Sequence, residues 1–135
     1  MTSSLTRRIV PAMKFTLDAR RDVNLVRGYG AGAVRIGERV VHASCIVAAQ
    51  TLITEWEAPR IEALGAEHLG AVLALDPEIV ILGTGAKQRF PSAALRETLA
   101  ARGIGVEAMD LGAACRTYNI LVQEERRVVA LLYVE

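Results

Sequence analysis

PEIVILGTGAKQRFPSAAL, residues Pro77 to Leu95, reads as a buried strand, a glycine-rich turn and the start of a helix. The strand is Glu78 to Leu82, and its aliphatic run Ile79, Val80, Ile81 and Leu82 suits a strand covered on both faces, as in a parallel sheet. Gly83 and Gly85 then permit a sharp turn and close backbone approach. Pro91 fits a first helical turn and Ser92 can cap the helix that follows. In open α/β sheets, ligands gather where a strand's carboxyl end meets a helix amino end.

Working outward, the carboxyl-terminal side continues the alternation. Ser92 to Arg102 is predicted as a helix burying Leu95 and Leu99 and stopped by Gly103. Ile104 to Met109 alternates as a strand, and Asp110 caps a helix from Leu111 to about Glu124 whose apolar stripe is Leu111, Ala114, Cys115, Tyr118 and Val122. Arg127 to Val134 is a final strand. On the other side, Ala66 to about Leu75 is predicted as a helix broken by Asp76-Pro77. The order helix–strand–helix–strand–helix–strand signals helices packed on a largely parallel or mixed sheet.

The amino-terminal half carries strands without long helices. Residues 1–12 are expected to be flexible, and Lys14 to Leu25 a loop with at most one short strand. Arg27 to Ala33, with Gly28, Gly30 and Gly32, reads as a turn feeding a hairpin over Ala33 to Val41. It is not a dinucleotide fingerprint, because no strand precedes it and no helix follows. Ser44 to Ala49 is a second buried strand, continued after a turn by Leu52, Ile53 and Trp56, with Glu55 and Glu57 marking a sheet edge. The fold class expected is therefore α/β: one domain, 1–135, with helices packed on a mixed, mostly parallel sheet and an extra β-hairpin layer.

Composition narrows the function classes. With 135 residues, 52% of them hydrophobic and 4% aromatic, the chain can build one core, mostly from Ala, Val, Ile and Leu. A net charge of +1, from 16 basic and 15 acidic residues, gives no footprint for nucleic acid or an anionic membrane. Val40 to Thr54, the longest uncharged run, is too short and too polar to span a bilayer. Arg7 and Arg8 are followed by no long apolar stretch, so no secretory signal is read. Cys45 and Cys115 form no CxxC, and with His42 and His68 they make no zinc pattern, so a reducing, cytoplasmic setting with no metal and no cofactor is expected.

The candidate site starts at the turn. Gly83, Thr84, Gly85, Lys87 and Arg89 can present backbone N–H groups and two cations to an anion, although the spacing is not a Walker A loop; the alternative is a tight turn with solvated charges. If the two βα units are adjacent and parallel, Arg116 comes to face the same turn. Thr117 and Asn119 are poor helix formers placed mid-helix, to be explained by a hydrogen bond to a loop or by a ligand. Tyr118 reads as core with its hydroxyl bonded, and both cysteines as small hydrophobes. Trp56 either covers the sheet edge or anchors a partner. No nucleophile–base pair is patterned around either histidine, so the chain reads away from catalysis.

Gly83-Thr84-Gly85, Pro91, Met109, the run from Ala114 to Leu121 (ACRTYNIL) and the run from Glu125 to Ala130 (ERRVVA) resemble a family of small uncharacterised bacterial and archaeal α/β domains that includes mitochondrial NADH:ubiquinone oxidoreductase (complex I) assembly factor 3. The resemblance spans about Gly30 to Val134 and is clearest after Glu78. It implies a three-layer fold around a mixed five-stranded sheet whose last strand runs antiparallel to the others, and no established enzymatic activity. It also implies a protein partner or a homo-oligomer, and a non-catalytic interaction or assembly role. A small-anion or nucleotide-like ligand at the Gly83–Lys87 turn is the alternative.

Overall fold

The computed structural model describes residues 22–135. The expectations for residues 1–12 and for 14–21 fall outside that range. The described elements are β1 (Val26–Gly30), β2 (Ala33–Ile36), β3 (Arg39–Val41), β4 (Cys45–Ala48), β5 (Thr51–Ile53), α1 (Gly70–Leu73), β6 (Ile79–Gly83), α2 (Ala93–Ala101), β7 (Gly105–Met109), α3 (Leu111–Gln123) and β8 (Val128–Leu132).

Five strands form the central sheet in the order β5-β4-β8-β6-β7, and β1-β2-β3 form a separate antiparallel sheet. β8 pairs with β6, and β6 with β7, in parallel; β4 pairs antiparallel with both β8 and β5. The central sheet is thus mixed rather than mostly parallel. The strand that runs against its neighbours is β4, not the last strand, which corrects the polarity implied by the family resemblance. The connections give the reason. Each of the steps β6–α2–β7 and β7–α3–β8 is a strand–helix–strand crossover, and such a crossover returns the chain parallel. The two steps move along the sheet in opposite directions. With a common right hand they place α2 and α3 on opposite faces.

Alternation along β8 shows the layers. Val128, Ala130 and Leu132 face the core formed with α3 (Leu111, Ala114, Cys115, Tyr118) and with Val26, Val34, Ile36 and Val41 of the three-stranded sheet. Val129 and Leu131 face the other core, with Leu95 and Leu99 of α2, Val72 of α1 and the buried Ile61, Leu64 and Leu69. Helix α3 and the small sheet together form one outer layer; α1 and α2 form the other. Near-continuous burial of β6 and β8 follows from this double cover.

Several local expectations are corrected. Gly28 and Gly30 lie inside β1, and only Gly32 (φ +76°) makes the turn into β2. The helix predicted over 66–75 is a 3₁₀ turn at Ala66–His68 followed by the single-turn α1, because Gly70 interrupts an apolar pattern too short to nucleate a long helix. Pro91 precedes α2 rather than opening it: Ser92 is the N-cap, its Oγ accepting from the Leu95 amide at 3.1 Å. Trp56 lies beyond the end of β5. Asp110 caps α3 as expected, accepting from the Ala113 amide at 2.9 Å.

Candidate functional site

The turns after β6 and β7 open at the same edge of the sheet and are tied together. The Thr84 amide donates to the Met109 carbonyl at 2.8 Å, and the Leu111 amide to the Gly85 carbonyl at 2.8 Å. Gly83 is required for packing: a Cβ there would stand 2.9 Å from Ala114 Cβ and 3.1 Å from Leu132 Cδ2. Gly85 adopts φ +96°, a conformation open to glycine and costly for other residues.

Thr84 is buried and its hydroxyl is fully used. It lies 2.7 Å from the Lys87 carbonyl and 3.2 Å from that of Met109, and accepts from the Arg89 amide at 2.9 Å. The Gln88 amide group donates to the Ala108 carbonyl on the edge strand β7. The turn is therefore closed on itself around Thr84. Across it, the Glu135 carboxylate accepts from the Ala86 amide at 3.3 Å and lies 3.5 Å from the Arg89 guanidinium.

Beside this turn lies a cleft of about 340 Å³, lined by Gly85, Ala86, Glu135, the first turn of α3, Arg116 and the tip of the β1–β2 hairpin. Arg116 donates from Nη1 to the Tyr29 hydroxyl at 2.8 Å. Tyr29 is 49% exposed, and its ring lies against α3 because Gly112 has no side chain: a Cβ there would meet the ring at 2.8 Å. The structure thus brings Gly85 and Arg116 of the expected constellation onto one cleft, with Arg89 reaching Glu135 at its rim.

The other candidates lie elsewhere. Lys87 is exposed and does not line the cleft. Asn119 holds strand β1: its Oδ1 accepts from the Val26 amide at 2.9 Å and its Nδ2 donates to the Val26 carbonyl at 2.8 Å. Thr117 is half-buried on α3. Trp56 packs edge-on against Tyr133, with ring centroids 5.4 Å apart and planes at 72°, and joins the core under α2. Sequence reasoning missed Tyr29, Gly112 and Glu135. An aromatic flanked by glycines, Gly28-Tyr29-Gly30, was the one available signal.

Tyr118 is buried and donates to the Asn24 carbonyl at 2.8 Å, and burial raises its pKa. Burial also pushes the Cys45 thiol up to about 11 and that of Cys115 up to about 12, the latter reinforced by the neighbouring Cys45. Neither is poised as a thiolate nucleophile. The His68 Nδ1 accepts from the Gly65 amide at 2.9 Å, which explains that histidine as a local cap. Among the described residues no group of three or more His, Cys, Asp and Glu is placed to hold a metal ion, and no helix is long and apolar enough to cross a membrane.

A three-layer α/β domain with a mixed five-stranded sheet and a cleft at the joined βα turns is the class this geometry defines. Residues 26–133 match the family described as "Protein of unknown function (DUF498/DUF598)", and the chain belongs to that family. A crystal structure of a Bordetella parapertussis protein has the same fold, with a TM-score of 0.76 and 35% identity over 84% of this chain and 97% of that one. The "13 kDa major membrane protein" of Francisella tularensis is 35% identical over 76% of this chain and 83% of its own length. NADH dehydrogenase [ubiquinone] 1 alpha subcomplex assembly factor 3 of Danio rerio is 31% identical over 80% of this chain; the chain spans 63% of that relative's length.

Proposed function

We propose that this protein is a non-catalytic interaction protein that acts as an assembly factor for a respiratory NADH dehydrogenase or a related multisubunit complex. The observation that carries this reading is the relationship over 80% of the chain to an assembly factor of that enzyme. The site is consistent with it. The groups that sequence reasoning offered for chemistry are spent on structure: Thr84 closes its turn, Asn119 clamps a strand, and both thiols are buried. We place the interface at the rim of the Gly83–Arg89 turn, continued by Phe90, which is 61% exposed. Trp56 is half-buried on Tyr133 and so is a weaker candidate. The free thiols of Cys45 and Cys115 fit work in the reducing cytoplasm.

The test is a deletion strain of the source organism, complemented with a tagged copy and analysed by native electrophoresis. The reading expects the tagged chain to migrate with subassemblies of the dehydrogenase, and the mature complex to fall in the deletion. Wild-type levels of mature complex, with the tag never found above the size of the protein's own assembly, would overturn it.

A further inference from the structure

The cleft beside the Gly85 turn already holds an anion of the protein's own. The Glu135 carboxylate accepts from the Ala86 amide and faces Arg89, and it occupies the space a Gly85 side chain would fill, 2.8–2.9 Å from that Cβ position. Glycine is thus needed at 85 twice: for its φ of +96° and to let a carboxylate approach the backbone. Arg116 lines the same cleft. Among the described residues no carboxylate pairs with it, and one of its N–H groups is shown donating, to Tyr29. A guanidinium has five such donors in a planar fork that matches a carboxylate. This contrasts with the cleft at the opposite end of β8, whose Arg126 and Arg127 are committed to Glu78 and Asp76.

We propose that the cleft is a carboxylate-binding site, self-occupied by Glu135, that takes an organic acid with a short apolar body. Its ligand is either a free acid or the side chain of a peptide glutamate. The incoming carboxylate takes the Ala86 amide and the guanidiniums of Arg89 and Arg116, and the carbon chain lies against Tyr29, Ala31 and Leu111. The volume of about 340 Å³ is at the small end of ligand pockets, which matches a body of a few carbons. Asp110 also lines the cleft, but its Oδ1 is held by the Ala113 amide as the cap of α3. Glu135 acts as a tethered competitor, so a free ligand must displace a group held at an effective concentration of about millimolar or above. The site shares Ala86 and Arg89 with the proposed interface, but its test reads ligand binding by the isolated chain and can fail while the assembly-factor reading stands.

Amide-resolved NMR titration of the full chain tests this, with glutarate as the free acid, N-acetylglutamate methylamide as the peptide side chain, and inorganic phosphate as a general anion. Glu135→Gln keeps the shape of the tethered group and removes its charge. The proposal expects saturable shifts at Gly85 and Ala86 in Glu135→Gln, with an apparent Kd about tenfold or more below that of the unaltered protein, and their loss in the double variant that adds Arg116→Met. Saturation by glutarate alone identifies a free acid; saturation by the glutamate derivative as well identifies a peptide. Both side chains are exposed, and the dispersion of the same spectra reports that the variants are folded. No saturable shift in Glu135→Gln, undiminished binding after Arg116→Met, or equal binding of phosphate would each overturn the assignment.

Discussion

Gly83 and the two cysteines show how tightly single positions are set. At Gly83 the missing Cβ is the contact between β6 and α3, with Ala114 Cβ 2.9 Å from where it would stand. That neighbour is a methyl group fixed to the helix backbone, so it cannot rotate away. Gly83→Ala should cost about 1–3 kcal/mol by overpacking, read as a lower midpoint in urea with an unchanged slope; an unchanged midpoint would show that α3 can shift freely. The thiols give a chemical readout of the same packing. With Cys45 up to about 11 and Cys115 up to about 12 from 9.0, neither is a thiolate at pH 8. Both should resist a thiol reagent in the native state and react rapidly once denatured. Because the folded values are raised, the stability tied to the neutral thiols is fully present below about pH 9 and is lost as pH climbs through about 11–12. Rapid native labelling at pH 8 would contradict the burial.

At the scale of elements, the question is how a small three-stranded sheet is held to the rest of the chain. β1 is an edge strand, and its outer side is met by the side chain of Asn119, which satisfies both backbone groups of Val26. Asn119→Ala leaves that amide and carbonyl unpaired at a half-closed interface, at a cost of about 1–3 kcal/mol. Hydrogen exchange should locate the loss: amides of β1 and β2 exchange faster, while those of β6 and β8 keep their protection. Uniform acceleration would mean that the small sheet and the central sheet unfold as one unit. The elements that were legible in the sequence are those whose burial is one-sided or complete. β6 and β8 show as aliphatic runs, and α2 and α3 show as helical stripes with caps at Ser92 and Asp110. β1 was not legible, since its Arg-Gly-Tyr-Gly is largely exposed and its pairing is set by a hairpin partner and by Asn119 from a distant helix. Strand polarity was not legible either, because an aliphatic run looks the same whichever way its neighbours run. The site followed the same rule. Gly85 and Arg116 could be placed by counting along two βα units, whereas Tyr29, marked only by its flanking glycines, and Glu135, marked by nothing local, reach the cleft through long-range packing.

For the whole molecule, the opposite end of the central sheet is tied together by a cluster of charges. Glu78, just before β6, accepts from Arg126 Nε at 2.6 Å and from the Arg127 amide at 3.3 Å, and lies 3.7 Å from the Arg127 guanidinium. These contacts join the start of β6 to the turn between α3 and β8, and so tie the first and last crossovers of the parallel half of the sheet. The hydrogen bond from Arg126 and that from the Arg127 amide hold the Glu78 carboxyl below its ordinary 4.5. The folded state therefore binds this proton less readily than the unfolded chain. The stabilisation is present above the unfolded value and is lost as pH falls through 4.5 and below. Glu78→Gln should unfold more easily than the unaltered protein at pH 7, and the gap between them should narrow as pH falls below 4.5 and the native carboxyl takes up its proton. Adding salt at pH 7 should shrink the gap only in part, because screening weakens the ion pairs while the hydrogen bond from the Arg127 amide persists. A gap that stayed constant as pH falls from 7 to well below 4.5 would show that the variant acts through shape rather than charge. The lock at this end of the sheet would then reside in the backbone bonds of Glu78 and Ile79 to the Arg127 carbonyl.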